Sequence, residues 1–144
     1  MSRAEGAIEV CGFDGDPAGR EVDRAVRAAR RILRCERLGV SVCAVSTAES
    51  GRLNRAWRRH RGPADVLSFA APGDEPGGEL GEVYVCPPLV RRRSRRLGLP
   101  YRRWLAELVV HGMLHLMGFH HGDPAAADLM GAVQRALVAR GPRA

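Results

Sequence analysis

A chain of 144 residues, 45% apolar and 27% charged, is long enough for one domain with an ordinary core, which excludes wholesale disorder. All 23 basic residues are arginine, against 16 acidic ones, for a net charge of +7. Without lysine there is no Walker-type phosphate loop, Schiff base or lysine general base, and the positive sum favours an anionic partner such as nucleic acid.

In chain order, the first expected element is a short strand over Ile8 to Gly12. An amphipathic helix follows from Ala18 to Leu38, with Val22, Val26, Ala29 and Leu33 on its inner face and arginines on the other. Gly39 ends it, and Val40 to Ser46 alternates as a second strand. Ser46 and Glu49 have the spacing of a capping box for a helix running to about Trp57. A basic loop, Arg58 to Pro63, leads to a strand over Val66 to Ala70. The Gly- and Pro-rich connector between Pro72 and Gly78 joins this strand to another, Leu80 to Cys86, as a long hairpin.

From Pro87 the pattern turns helical. One helix is stopped by Gly98 and Pro100, and a second begins near Tyr101. The second is apolar nearly all round from Trp104 to Met117, so it is expected to be central and buried. Its apolar run holds Glu107, His111 and His115 and is too short to span a bilayer. Gly118 stops it, and Pro124 to Arg140 forms a last helix with Leu129, Val133 and Leu137 inward. No repeat or domain boundary interrupts the chain. The expected fold class is therefore α+β, a single small domain over 1–144. Its mixed sheet of about four strands is covered by helices, with a metal site at the buried C-terminal helix and the turn after it.

Cys11, Cys35, Cys43 and Cys86 are far apart and form no CxxC pair, which predicts reduced, buried thiols. Met1 to Val10 lacks the apolar stretch of a secretory signal, so a cytoplasmic location is expected.

Four of the five histidines lie between His111 and His121. His111 and His115, at i and i+4, stack on one helix face, where both imidazoles can reach one metal ion. Gly118 lets the chain fold back, so that His121 can supply a third corner. Core histidines that merely hydrogen-bond are the plainer alternative, but each would need its own partner in apolar surroundings, and the segment supplies few. Structural zinc sites are closed and rich in cysteine, whereas three histidines leave one position open to water. Either His120 or Asp123 could close the site instead. The HxxxHxxGxxH spacing also matches an extended zinc-peptidase motif, yet the general-base glutamate that follows the first His there is Gly112 here.

The segment His111-Gly112-Met113-Leu114-His115-Leu116-Met117-Gly118-Phe119-His120-His121 resembles the HGxLHLxGYDH signature of the YbeY family, metal-dependent endoribonucleases of rRNA maturation. Leu53-Asn54-Arg55-Ala56-Trp57-Arg58 is similar to the family's LNxxYR. Asp65-Val66-Leu67-Ser68-Phe69 is similar to TDVLSF after its first residue, and Leu80-Gly81-Glu82-Val83 to LGDI. The resemblance implies one Zn2+ per chain on His111, His115 and His121, with Arg58 as the functional arginine and His115 counted with it in the catalytic set. It implies cleavage of single-stranded RNA at the 3′ end of small-subunit rRNA and in ribosome quality control, with rRNA and the small ribosomal subunit as partners. No membrane and no nucleotide cofactor are expected. Departures from the family pattern are His120 in place of Asp, Ala64 in place of Thr, and Gln134 where Glu often follows the Met at Met130. They leave the general base open.

An arginine fork suits a phosphodiester's non-bridging oxygens, which is the chemistry expected of Arg58. Arg59, Arg61, Arg92, Arg95 and Arg96 are further candidates for RNA contact, set against a merely solvated helix face. Ser68 and its strand are expected to line the groove. Trp57, Phe69 and Tyr84 could stack on bases, although the core has first claim on them. His60 is expected at the surface. A second reading is a non-catalytic, zinc-stabilised factor that docks on the ribosome, and a third is metal-dependent hydrolysis of another substrate.

Overall fold

A computed structural model describes residues 5–72, 78–120 and 122–139. Two parallel strands, β1 (Ile8–Cys11) and β2 (Gly39–Ala44), are joined by helix α1 (Ala18–Ile32). Helix α2 (Thr47–Leu53) runs directly into a π-helical turn (Asn54–Arg58) and is followed by the hairpin of β3 (Val66–Ala70) and β4 (Glu79–Val85). Helices α3 (Pro87–Leu97), α4 (Tyr101–Leu116) and α5 (Pro124–Ala139) complete the described chain. The sheet order is β1-β2-β4-β3, with β2 parallel to β4 and β3 antiparallel to it at the edge. This is the expected α+β fold with a four-stranded mixed sheet. Residues 73–77 of the connector, His121 and Arg140 lie outside the described residues.

Alternation decides which face is covered. Val40, Val42, Val83 and Val85 are buried against α1 and α4, while Glu9, Ser41, Glu82 and Phe69 form a row across the opposite face. As expected, α4 is the central helix: Leu105, Val109, Val110, Met113 and Leu114 are fully enclosed. It lies close to the sheet because two contacts lack a side chain. A Cβ at Gly112 would sit 3.0 Å from Val83 Cγ1, and one at Gly81, where φ is +149°, would overlap the Phe69 carbonyl oxygen and press on Leu116. Gly112 therefore faces the sheet. A glutamate there would be buried in the core, so the peptidase mechanism fails on geometry as well as on residue type.

Three features differ from the expected pattern. Helix α1 ends at Ile32, six residues early, because Arg34 turns left-handed at φ 54° and residues 35–38 close a turn, Leu38 N–H donating to Cys35 O at 3.0 Å. Arg30 is not on the outer face. It is 3% exposed, and its Nη1 donates to the carbonyls of Gly6 (2.7 Å), Glu36 (3.2 Å) and Leu38 (3.0 Å), so one buried cation holds the turn and the approach to β1. Finally, Cys11 and Cys43 are in register on neighbouring strands, with Cα atoms 4.7 Å apart, and form a disulfide. Only Cys35 and Cys86 are the buried free thiols expected of all four, and burial pushes the Cys35 thiol up.

Side-chain bonds fix the helices to one another. Ser46 accepts from Glu49 N–H at 3.1 Å, as the capping spacing requires, while the Glu49 carboxylate pairs with Arg52. Asp16 accepts from Ala18 N–H (2.9 Å) ahead of α1, from Arg91 of α3 (3.0 Å) and from the Tyr101 hydroxyl of α4 (2.8 Å). Burial pushes its carboxyl up, but these donors and the Arg91 charge outweigh burial and hold it below its ordinary 3.8.

Candidate functional site

His111 and His115 stand one turn apart on α4, the first half-buried and the second exposed. The helix ends in a tight turn: Gly118 N–H bonds His115 O at 3.0 Å, Phe119 N–H bonds Leu114 O at 3.0 Å, and Gly118 takes φ +90°. Phe119 packs back on the core and anchors the returning chain. His120 N–H then donates to Asp123 Oδ2 at 2.9 Å, and the Asp123 carbonyl accepts from Ala127 N–H in the first turn of α5.

The result is a pocket of about 360 Å³ between α4 and α5, lined by His111, His115, His120 and Asp123 with Phe119 and Met130 as apolar walls. Two imidazoles on adjacent turns, facing one pocket, are donors that suit a divalent metal ion. His121, the expected third donor, lies outside the described residues, although its neighbours His120 and Gly122 both line the pocket. Among the described residues no three His, Cys, Asp or Glu side chains come together as a metal-holding group. One Asp123 oxygen is already engaged by the His120 amide.

Arg58 comes from the other side of the sheet edge. It is the last residue of the π-helical turn, and its Nη2 donates to the Ser68 carbonyl of edge strand β3 at 2.9 Å. Its guanidinium stands 5.9 Å from the centre of the Phe69 ring. Ser68 is in register with Val83, and Val66 approaches Gly112, so Val66 and Ser68 lie on the sheet face that packs against α4. Strand β3 thus carries Arg58 on its rim and meets the histidine helix on its inner face.

The loop behind Arg58 is fixed by two buried polar residues that sequence reasoning passed over. Asn54 Nδ2 donates to Gly62 O at 2.9 Å, and Ser50 Oγ bonds both the carbonyl (2.6 Å) and the amide (3.0 Å) of Ala64. The position is thus held through the Ala64 backbone, so the missing threonine hydroxyl does not undo the loop. The asparagine of the LNxxYR-like block was the available signal, because a buried amide needs a structural partner.

Of the other candidate residues, Arg59 and Arg61 are exposed beside Arg58, and His60 is exposed as expected. On α3 the arginine run divides. Arg91 pairs with Asp16 and stands 4.4 Å from the Tyr101 ring centre, and Arg93 pairs with Asp65 at 2.8 Å. Arg92, Arg95 and Arg96 are exposed, with no acidic partner among the described residues. On the open sheet face the Tyr84 hydroxyl bonds Glu82, and chiefly that bond pushes its pKa up to about 12, so it stays neutral.

A family model described as endoribonuclease YbeY matches residues 12–141, which include every histidine and arginine of this site. The chain belongs to the YbeY family. A relative from Thermobifida fusca, named endoribonuclease YbeY, is 36% identical over 146 residues, covering 92% of each chain. Relatives of the same name from Alkalilimnicola ehrlichii and Methylococcus capsulatus are 42% and 41% identical over 69% and 60% of this chain. Those two matches span 63% and 59% of the relatives' own length. The solution structure of TM1509 from Thermotoga maritima superposes with a TM-score of 0.65 at 25% identity, covering 92% of this chain and 91% of that one. The expected YbeY fold is therefore observed, and the expected enzyme class agrees with the relatives' names. No described helix is long and apolar enough to cross a membrane.

Proposed function

We propose that this chain is a zinc-dependent endoribonuclease that cuts single-stranded rRNA, at the 3′ end of small-subunit rRNA and in ribosome quality control, in the cytoplasm. The observation that carries the reading is the histidine pair of α4, which faces one pocket, on a helix that packs against β3, the strand whose edge anchors Arg58. His111, His115 and His121 would hold one Zn2+, which when bound supplies a Lewis acid and a nucleophile available at neutral pH.

The rest follows from the chain's own groups. The Ser68 carbonyl takes one donor of Arg58 and so fixes the plane of the guanidinium. The remaining donors form a fork for the two non-bridging oxygens of a phosphodiester, and they strengthen as charge builds on those oxygens in the transition state. A lysine would offer a point charge without the fork. Arg59 and Arg61, and Arg92, Arg95 and Arg96 on α3, supply exposed positive charge for the RNA backbone and the small subunit.

One observation favours the non-catalytic reading. His120 and Asp123 line the same pocket and are candidates to close the metal site. Zinc content and cleavage of a labelled single-stranded rRNA fragment, measured together on wild type and His115→Ala, separate the two. The enzyme reading expects both to be lost in the variant. Full cleavage by a metal-free His115→Ala protein would refute it.

A further inference from the structure

Trp57 stands where an indole is rarely left. It is 70% exposed, the most exposed of the large apolar side chains described, although at 5% aromatic content the core could have used it. It is nevertheless held in place. Its ring meets Phe69 edge-on with centroids 6.3 Å apart, and Phe69 meets Tyr84 in the same way at 5.8 Å. The π-helical turn that carries Trp57 also carries Arg58, and both side chains rest on the same Phe69 ring. Such turns recur at functional sites because they widen the helix locally and re-aim side chains.

The surrounding charge selects an occupant. Arg55, Arg58, Arg59 and Arg61, on the same turn and the loop that follows it, are exposed. Inward from Phe69 the open face turns acidic, where Glu9, Glu82 and Ser41 line a cavity of about 430 Å³. A polyanionic backbone is attracted to the arginine rim and repelled from the carboxylates, whereas an uncharged ring can lie across the boundary.

We propose that Trp57 is the stacking platform for an unpaired nucleobase of single-stranded RNA, next to the phosphate held by Arg58. The inference rests on the RNA reading above and adds to it a residue that selects single strands, since a paired base offers no free face.

The test is equilibrium binding of a fluorescein-labelled single-stranded 2′-O-methyl oligoadenylate to the full, zinc-loaded chain, with the oligomer checked to be intact after each titration. Trp57→Ala is expected to bind about tenfold more weakly, while Trp57→Phe and Trp57→Tyr stay within about threefold of wild type. An abasic oligomer of equal charge should bind wild type and Trp57→Ala alike, which a merely structural role would not produce. In a Trp104→Phe background the remaining indole fluorescence should quench on binding. If wild type binds the oligomer but Trp57→Ala binds it equally, this inference fails and the RNA reading stands. If wild type binds no RNA, both fail. Trp57-dependent self-association without RNA binding would assign the ring to a second copy of the chain and overturn the inference.

Discussion

Replacing Asp16 with alanine removes a side chain that ties α1, α3 and α4 together, and its cost can be worked bond by bond. Loss of the bond to Ala18 N–H resembles loss of a helix cap, about 1 kcal/mol. The Tyr101 hydroxyl, half-buried, loses a charged acceptor, about 1.5 kcal/mol. Arg91 is 46% exposed and can turn to water, so its share is only about 0.5 kcal/mol. The sum, about 3 kcal/mol, is a large part of a typical domain's stability and lowers Tm by roughly 10 °C. Urea unfolding followed by circular dichroism reads it. The sign with pH is fixed as well. Because the folded pKa lies below 3.8, the contribution is complete above the ordinary carboxylate range and is lost as pH falls through the folded value. Wild type and Asp16→Asn should therefore converge in stability at the acid end. An Asp16→Ala cost below 1 kcal/mol, or a wild type–Asp16→Asn gap that persists unchanged through acid, would refute the reasoning.

Gly81→Ala is expected to destabilise by about 3 kcal/mol or more, because the new Cβ meets a backbone oxygen that cannot move aside, and thermal unfolding measures it. Arg30→Met leaves the carbonyls of Gly6 and Leu38 without their side-chain donor, while Glu36 O keeps the Gly6 N–H, and should cost about 2–3 kcal/mol in the same assay. Changing Arg92, Arg95 and Arg96 together to glutamine should leave Tm in place and flatten the salt dependence of RNA binding by about 2 log units per log unit of salt. An unchanged slope would remove α3 from the RNA surface.

Much of the fold was legible because periodicity and end signals agreed. The four strands, the Ser46 cap, the stop at Gly98 and the enclosure of α4 all follow from spacing that burial enforces. What escaped depends on contacts distant in sequence. Nothing local in Arg34 signals a left-handed residue, and Arg30 reads as one arginine among many until three carbonyls converge on it. Cys11 and Cys43 are 32 residues apart and became neighbours only through strand register. At the site, the i,i+4 histidines and Gly118 announced a shared pocket. The anchoring of Arg58 on Ser68 was not readable, because it needs the edge position of β3 and a π-helical turn that no propensity encodes. Composition gave the core first claim on Trp57 over stacking on bases, yet the ring stands in solvent.

The most direct measurement is single-turnover cleavage of a labelled single-stranded rRNA fragment by wild type, Arg58→Ala and a chelated sample, with zinc content determined on each. The account predicts cleavage by wild type alone, with Arg58→Ala keeping its zinc while losing roughly a hundredfold or more in rate, as removal of a transition-state donor does. Equal trace cleavage in all three would contradict it and leave the zinc-bearing assembly factor as the better description.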